Sequence, residues 1–122
     1  MTDIDNKNLV LNALAAFQQG NLDGFRDLLH EDFIAHAPGT PSGRDAFLDY
    51  TANSPIGTAG IEVKRVIADA DYVVVHQHLT PRGADRGLAI IDIWRLTDGR
   101  ITEHWHAAQP VPDDDQIPNG MF

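Results

Sequence analysis

LAIIDIWRLTDGRITEHWHAAQ, residues 88–109, reads as two long apolar-rich strands joined at Thr97-Asp98-Gly99. A two-residue Asp98-Gly99 loop pairs Leu96 with Ile101, faces Asp92 with Trp105, and leaves His104 and His106 on the other side of the sheet. A three-residue loop with Gly99 in the left-handed conformation, forming a bulge, pairs Leu96 with Arg100 instead. Asp92 then faces His104 and Ile90 faces His106. The two readings differ by one residue and invert which side chains share a face. We take the second, because Thr-Asp-Gly-Arg suits a type I turn followed by a residue at positive φ, which glycine supplies without steric cost. Only this register puts an acid and two histidines on one wall.

Upstream, Leu9, Val10, Ala13, Leu14 and Phe17 recur at helical spacing with Gly20 placed to stop the turn, which predicts an amphipathic helix over residues 4–19. Asn21 can cap a second, shorter helix whose buried face holds Leu22, Phe25, Leu28 and Leu29. FIAHA, residues 33–37, is a short strand candidate ended by Pro38-Gly39-Thr40-Pro41. Ser42, with Asp45 three residues on, resembles a capping box for a third helix carrying Ala46, Phe47 and Tyr50. From Gly60 the period becomes extended: IEVKRVIA, DYVVVHQHLT, GLAIIDIWRL and RITEHWHAAQ, separated by turn residues. Helices followed by neighbouring antiparallel strands argue for an α+β fold, one curved sheet wrapped over three N-terminal helices. The whole of 1–122 reads as a single domain, with 110–122 as a C-terminal tail whose Met121-Phe122 can anchor on its own or a partner subunit.

The chain of 122 residues carries 18 acidic against 9 basic side chains, a net charge of −9 with no basic cluster, so nucleic acid and anionic membranes are unexpected partners. With no cysteine, disulfides and thiolate chemistry are excluded. The start has no signal-peptide pattern and no stretch has the length of a membrane span, which predicts a cytoplasmic protein. Strands 88–97 and 100–109 are apolar on both faces. Helices cover one face, so a homodimer packed through the other is expected.

FIAHAPGTPSGRDAF, IDIWRLTDGRITEHWHAAQPVP and the closing NGMF resemble the SnoaL-like group of the nuclear-transport-factor-2-like superfamily, which includes polyketide cyclases and predicted aldol-condensation enzymes. The resemblance implies a cone-shaped α+β fold closing around an apolar pocket, dimerisation, and activity without a cofactor. It also implies that the pocket is lined by the position of Asp92 and by that of His106, where the family usually has an aspartate acting as general acid/base. A histidine there can still remove a proton near neutral pH, though with the opposite charge change. The superfamily's epoxide hydrolases need an arginine and an aspartate on the strand that reads YVVVHQHL here, and neither is present.

These readings make His106 the first candidate for a general base, with Asp92 and His104 as its partners, acting on a carbon acid next to a carbonyl. His36, Trp94, Ile90 and His76 are the candidate substrate contacts. The plainer alternatives are a hydrogen-bonded core histidine at 106, a structural Asp92 paired with His104 or Arg95, and a loop histidine at 36. The ligand expected is a small hydrophobic molecule, either turned over or merely bound by a non-catalytic module of the same fold. A third reading takes His76-Gln77-His78 and His104-Trp105-His106 as two pairs of imidazoles on neighbouring strands that could hold a metal. Our expectation is no metal, because helix-led α+β chains of this family work without one.

Overall fold

In a computed structural model describing residues 2–84 and 86–122, three helices lead the chain: α1 (Asp3–Gln18), α2 (Leu22–Leu28) and, after strand β1 (Leu29–His36), α3 (Arg44–Ala52). Four strands follow: β2 (Gly60–Asp69), β3 (Tyr72–Thr80), β4 (Leu88–Thr97) and β5 (Arg100–Pro110). Thr2 and Asp5 form a reciprocal capping box at the start of α1, whose Val10, Ala13, Leu14 and Phe17 are buried. Gly20, at φ 77°, ends it as the sequence predicts. Asn21 caps α2 by accepting from the backbone N–H of Gly24 at 3.0 Å. The predicted Ser42 cap of α3 does not form. Gly43 (φ 91°) occupies the cap position, and the Ser42 hydroxyl instead accepts from Ala35 N–H, tying the loop to β1.

The five strands lie in the order β1-β5-β4-β3-β2 in one curved, open sheet. It is mixed rather than wholly antiparallel, because β1 runs parallel to β5. Alternation gives each strand an inner face: Val73, Val75, Gln77 and Leu79 on β3, and Ile90, Asp92, Trp94 and Leu96 on β4, all buried under the helices. Four phenylalanines stitch helices to sheet, with Phe17 against Phe25, Phe25 against Phe47, and Phe47 against Phe33 at ring separations of 5.5, 6.5 and 4.6 Å. Each such buried side chain contributes about 1.5–3 kcal/mol relative to exposure.

The deciding hairpin takes a route that neither sequence reading described. Asp98 and Gly99 both have positive φ (51° and 78°) and Thr97 pairs with Arg100, so the connection is the two-residue turn. The expected three-residue loop is thereby corrected: Leu96 pairs with Ile101. Asp-Gly tolerates the left-handed pair of conformations that fits the strands' twist. One step further, β5 bulges at Thr102. Beyond it Arg95 pairs with Glu103, Trp94 with His104 and Asp92 with His106. The extra residue restores the face relation expected of the other register, with each partner moved two places along.

The outer face of the sheet carries His36, Tyr72, His76, His78, Ile91, Ile93, Arg95, Glu103 and Trp105. The C-terminal tail folds back onto its β2–β3 side. Arg86 donates to the carbonyl of Pro112 at 2.9 Å, and the ring of Phe122 stacks on His78 and His76 at 4.4 and 5.6 Å. The anchor foreseen at the end of the chain is thus docked on its own subunit.

Candidate active site

Asp92 sits in the middle of β4 with its side chain 5% exposed, and three neighbours on the inner face converge on its carboxylate. Nε2 of His104 lies 2.8 Å and Nδ1 of His106 2.7 Å from Oδ1. From the other side, Nε2 of Gln77 on β3 donates to Oδ2 at 2.5 Å. Burial by itself pushes the carboxyl pKa up, but the hydrogen bonds from the two imidazoles outweigh it and hold Asp92 below the ordinary carboxylate value. The group is therefore an anion in an apolar wall, held by hydrogen bonds from three side chains.

That anion decides what His106 is. A carboxylate only accepts, so Nδ1 of His106 carries the hydrogen and the neutral ring presents its lone pair at Nε2. The hydrogen bond to Asp92 raises the imidazole's pKa above its usual value, and partial burial opposes it. His106 is 22% exposed and borders a cavity of about 90 Å³. Leu14, Phe17, Phe47, Ile56, Leu79 and Ile90 give that cavity apolar walls, and Gln77, Asp92, Trp94, His104 and His106 form its polar patch.

His104 is held differently. It is 6% exposed, its ring stacked on Trp94 at 3.9 Å and flanked by Phe33 and Phe47. With Nε2 committed to Asp92, its Nδ1 has no partner among the described residues. Asp92, His104 and His106 place donor atoms within 4.8 Å of one another, close enough to consider a metal ion. The fit is poor. A metal-binding histidine normally donates its second ring nitrogen to an acceptor that fixes it, and the buried Nδ1 of His104 has none.

Asp92, His104, His106, Trp94 and Ile90 thus come together at one cavity. Two other sequence candidates do not join them. His36 points to the outer face, where it lies 2.6 Å from Glu103 and stacks on Trp105 at 4.9 Å, because it pairs with Trp105 in the β1–β5 ladder and shares that residue's side. His76 is also on the outer face, 2.6 Å from an Arg65 nitrogen. The two His-x-His pairs therefore stand on opposite sides of the sheet, and the four-imidazole site is ruled out by strand alternation. Gln77 was missed. Its signal was present: in YVVVHQHLT it shares the apolar face of Val73, Val75 and Leu79, and a polar residue there needs a buried partner.

The model of the SnoaL-like domain matches residues 10–104, and the chain belongs to that family. Among curated proteins none matches. Solved structures share the fold at low identity. A candidate ketosteroid isomerase from Kribbella flavida superposes with a TM-score of 0.77 at 22% identity, covering 94% of this chain and 88% of its own. An NTF2-like protein of unknown function from Burkholderia xenovorans gives 0.81 at 17%, covering 97% and 96%. A candidate SnoaL-like polyketide cyclase from Jannaschia gives 0.75 at 20%, covering 88% and 87%. No helix among the described residues is long and apolar enough to cross a membrane.

Proposed function

We propose that this protein is a small acid/base enzyme that needs no cofactor and acts on a hydrophobic carbonyl compound. Nε2 of His106 removes a proton from the carbon next to the carbonyl. The resulting enolate is reprotonated elsewhere, which is an isomerisation, or attacks a second carbonyl, which is an aldol-type cyclisation. The observation that carries this reading is the 2.7 Å contact between Asp92 and Nδ1 of His106, which fixes the tautomer and leaves the basic nitrogen free. The apolar walls favour a hydrophobic substrate, and relatives in the fold bear the names of isomerases and polyketide cyclases. The direct test is hydrogen–deuterium exchange at the α-carbon of small hydrophobic ketones in deuterated water. Exchange is expected with the wild-type protein and falls about 10²–10⁴-fold in His106→Ala. Exchange retained in that variant rejects His106 as the base.

The outer sheet face supports a homodimer. Ile34, Tyr72 and Ile91 are exposed there at 43, 44 and 41%, beside Ile93 and Trp105, and the tail leaves the β1-β5-β4 part uncovered. Ile91→Glu is expected to convert a dimer to a monomer in sedimentation without touching the cavity.

A further inference from the structure

Among the described residues, three buried side-chain polar atoms have no hydrogen-bond partner: Oε1 of Gln77, Nδ1 of His104 and Nε1 of Trp94. All three residues line the same cavity. Two of the atoms are acceptors: the carbonyl oxygen of Gln77, and Nδ1 of His104, whose Nε2–H is spent on Asp92. Of the three unpartnered atoms only Nε1 of Trp94 is a donor. A buried indole N–H normally finds an acceptor, and leaving one unmatched is costly. In a wall that otherwise satisfies a buried carboxylate three times over, the exception calls for an acceptor that arrives with the ligand.

We propose that the Trp94 indole N–H is the donor that binds the substrate's carbonyl oxygen and stabilises the oxyanion formed when His106 takes the α-proton. The inference rests on the His106 reading above. Trp94 pairs with His104 and Asp92 with His106, so Trp94 and His106 are diagonal neighbours on one face, about 7–8 Å apart at the backbone. In the proposed complex the carbonyl compound lies between them, its α-carbon about 3–3.5 Å from Nε2 and its oxygen about 3 Å from the indole nitrogen. In the step, the C–H electron pair becomes the new C=C bond, the carbonyl π pair moves onto oxygen, and the proton stays on Nε2. The indole keeps its own hydrogen throughout and contributes a hydrogen bond that strengthens as the oxygen gains charge.

The other hydroxyls of the lining are less suited. Thr51 donates to the carbonyl of Phe47 at 2.8 Å, Tyr50 is 44% exposed, and Thr40, on the loop after β1, is only half-buried, so that water competes for any oxyanion at the last two. Trp94, 4% exposed and stacked on His104, is held rigid by that ring.

The chain has only two tryptophans, and Trp105 on the outer face is an internal control. The probe is p-nitrophenolate, a planar anion whose charged oxygen imitates an enolate, added to ¹⁵N-labelled wild-type protein. The expected result is a downfield shift of the Trp94 indole N–H, no change at Trp105, and perturbed His106 ring signals. Trp94→Phe keeps an aromatic ring against His104 but removes the donor, and is expected to weaken p-nitrophenolate about 10- to 100-fold, as loss of a hydrogen bond to a charged group does. Perturbation of His106 with an unmoved Trp94 indole, or undiminished affinity in Trp94→Phe, overturns the role of Trp94 and leaves the base in place. No response at either residue in the wild-type protein overturns both. Because the indole shift is read in wild-type protein, the proposal stays falsifiable even if the variant misfolds.

Discussion

The β4–β5 hairpin carries a carboxylate next to an imidazole on each of its faces. Inside, Asp92 meets His104 and His106 with its side chain 5% exposed; outside, Glu103 meets His36 and Arg95, with His36 42% exposed. Both acids are held below their ordinary pKa, Glu103 chiefly by the hydrogen bond to His36 and with help from Arg95. The same chemical pair has different consequences in the two settings. Outside, the His36 partner is open to water and the pair is a modest surface link. Inside, the carboxylate has nowhere to turn, so it dictates a tautomer and raises a base's pKa next to an apolar cavity.

What assigns each residue to its face is the bulge at Thr102, and removing it is the sharpest way to break the contrast. Ile101 and His104 are three apart yet both point inward, which a regular strand forbids. Deleting Thr102 forces either the Ile101 end or the His104–His106 end to turn over. We expect complete loss of α-proton exchange and a destabilisation of more than about 3 kcal/mol in urea, since a buried carboxylate loses partners or an apolar side chain is expelled. A deletion variant that keeps activity would mean that the site does not depend on this register.

Asp92→Asn is the next largest effect. The amide cannot accept as the carboxylate does, and its NH₂ favours the wrong tautomer of His106, so exchange is expected to fall about 10²–10⁴-fold. The residual rate carries more information than the loss. In the wild-type protein the base is active only when neutral, so the rate climbs with pH through a pKa raised above 6.5. Without the carboxylate that raising cause is gone while burial still opposes the charge, and the climbing limb moves to lower pH. A limb that stays put would show that Asp92 does not act through His106. Glu103→Gln, altering the matching acid outside, should leave both rate and profile unchanged.

Much of this was legible in the chain. Helical spacing around Val10 and Phe17, the Asn21 cap and the extended period after Gly60 are local patterns, and they gave the elements. The family resemblance gave their arrangement. The inward grouping of Asp92, His104 and His106 was anticipated through a turn the molecule does not use. An Asp-Gly pair permits a left-handed residue at one or both positions, and propensity does not decide between them. Nor does any local signal mark Thr102 as the extra residue, because a bulge is fixed by which side chains the helices will bury across the sheet. His36 and His76 went to the wrong face for the same reason: alternation tells which residues share a side, but not which side faces the helices.

The smallest effects concern stability against pH, where the two faces again part. Asp92 has a depressed folded pKa, so its contribution is present above the unfolded carboxyl value and is lost as pH falls through the lower folded one. His106 has a raised folded pKa, so its contribution is complete below about 6.5 and fades as pH rises through the higher folded value. Urea midpoints of wild type and His106→Ala should therefore differ most in mild acid and less in alkali, where the neutral ring keeps only its hydrogen bond to Asp92. On the outside, His36→Ala removes an exposed partner of Glu103 that Arg95 backs up at 2.8 Å, and the unfolding free energy should fall by less than about 1 kcal/mol at neutral pH. If His36→Ala cost as much as His106→Ala, burial would not be what separates the two faces, and the inner triad would lose its claim to be more than another ion pair.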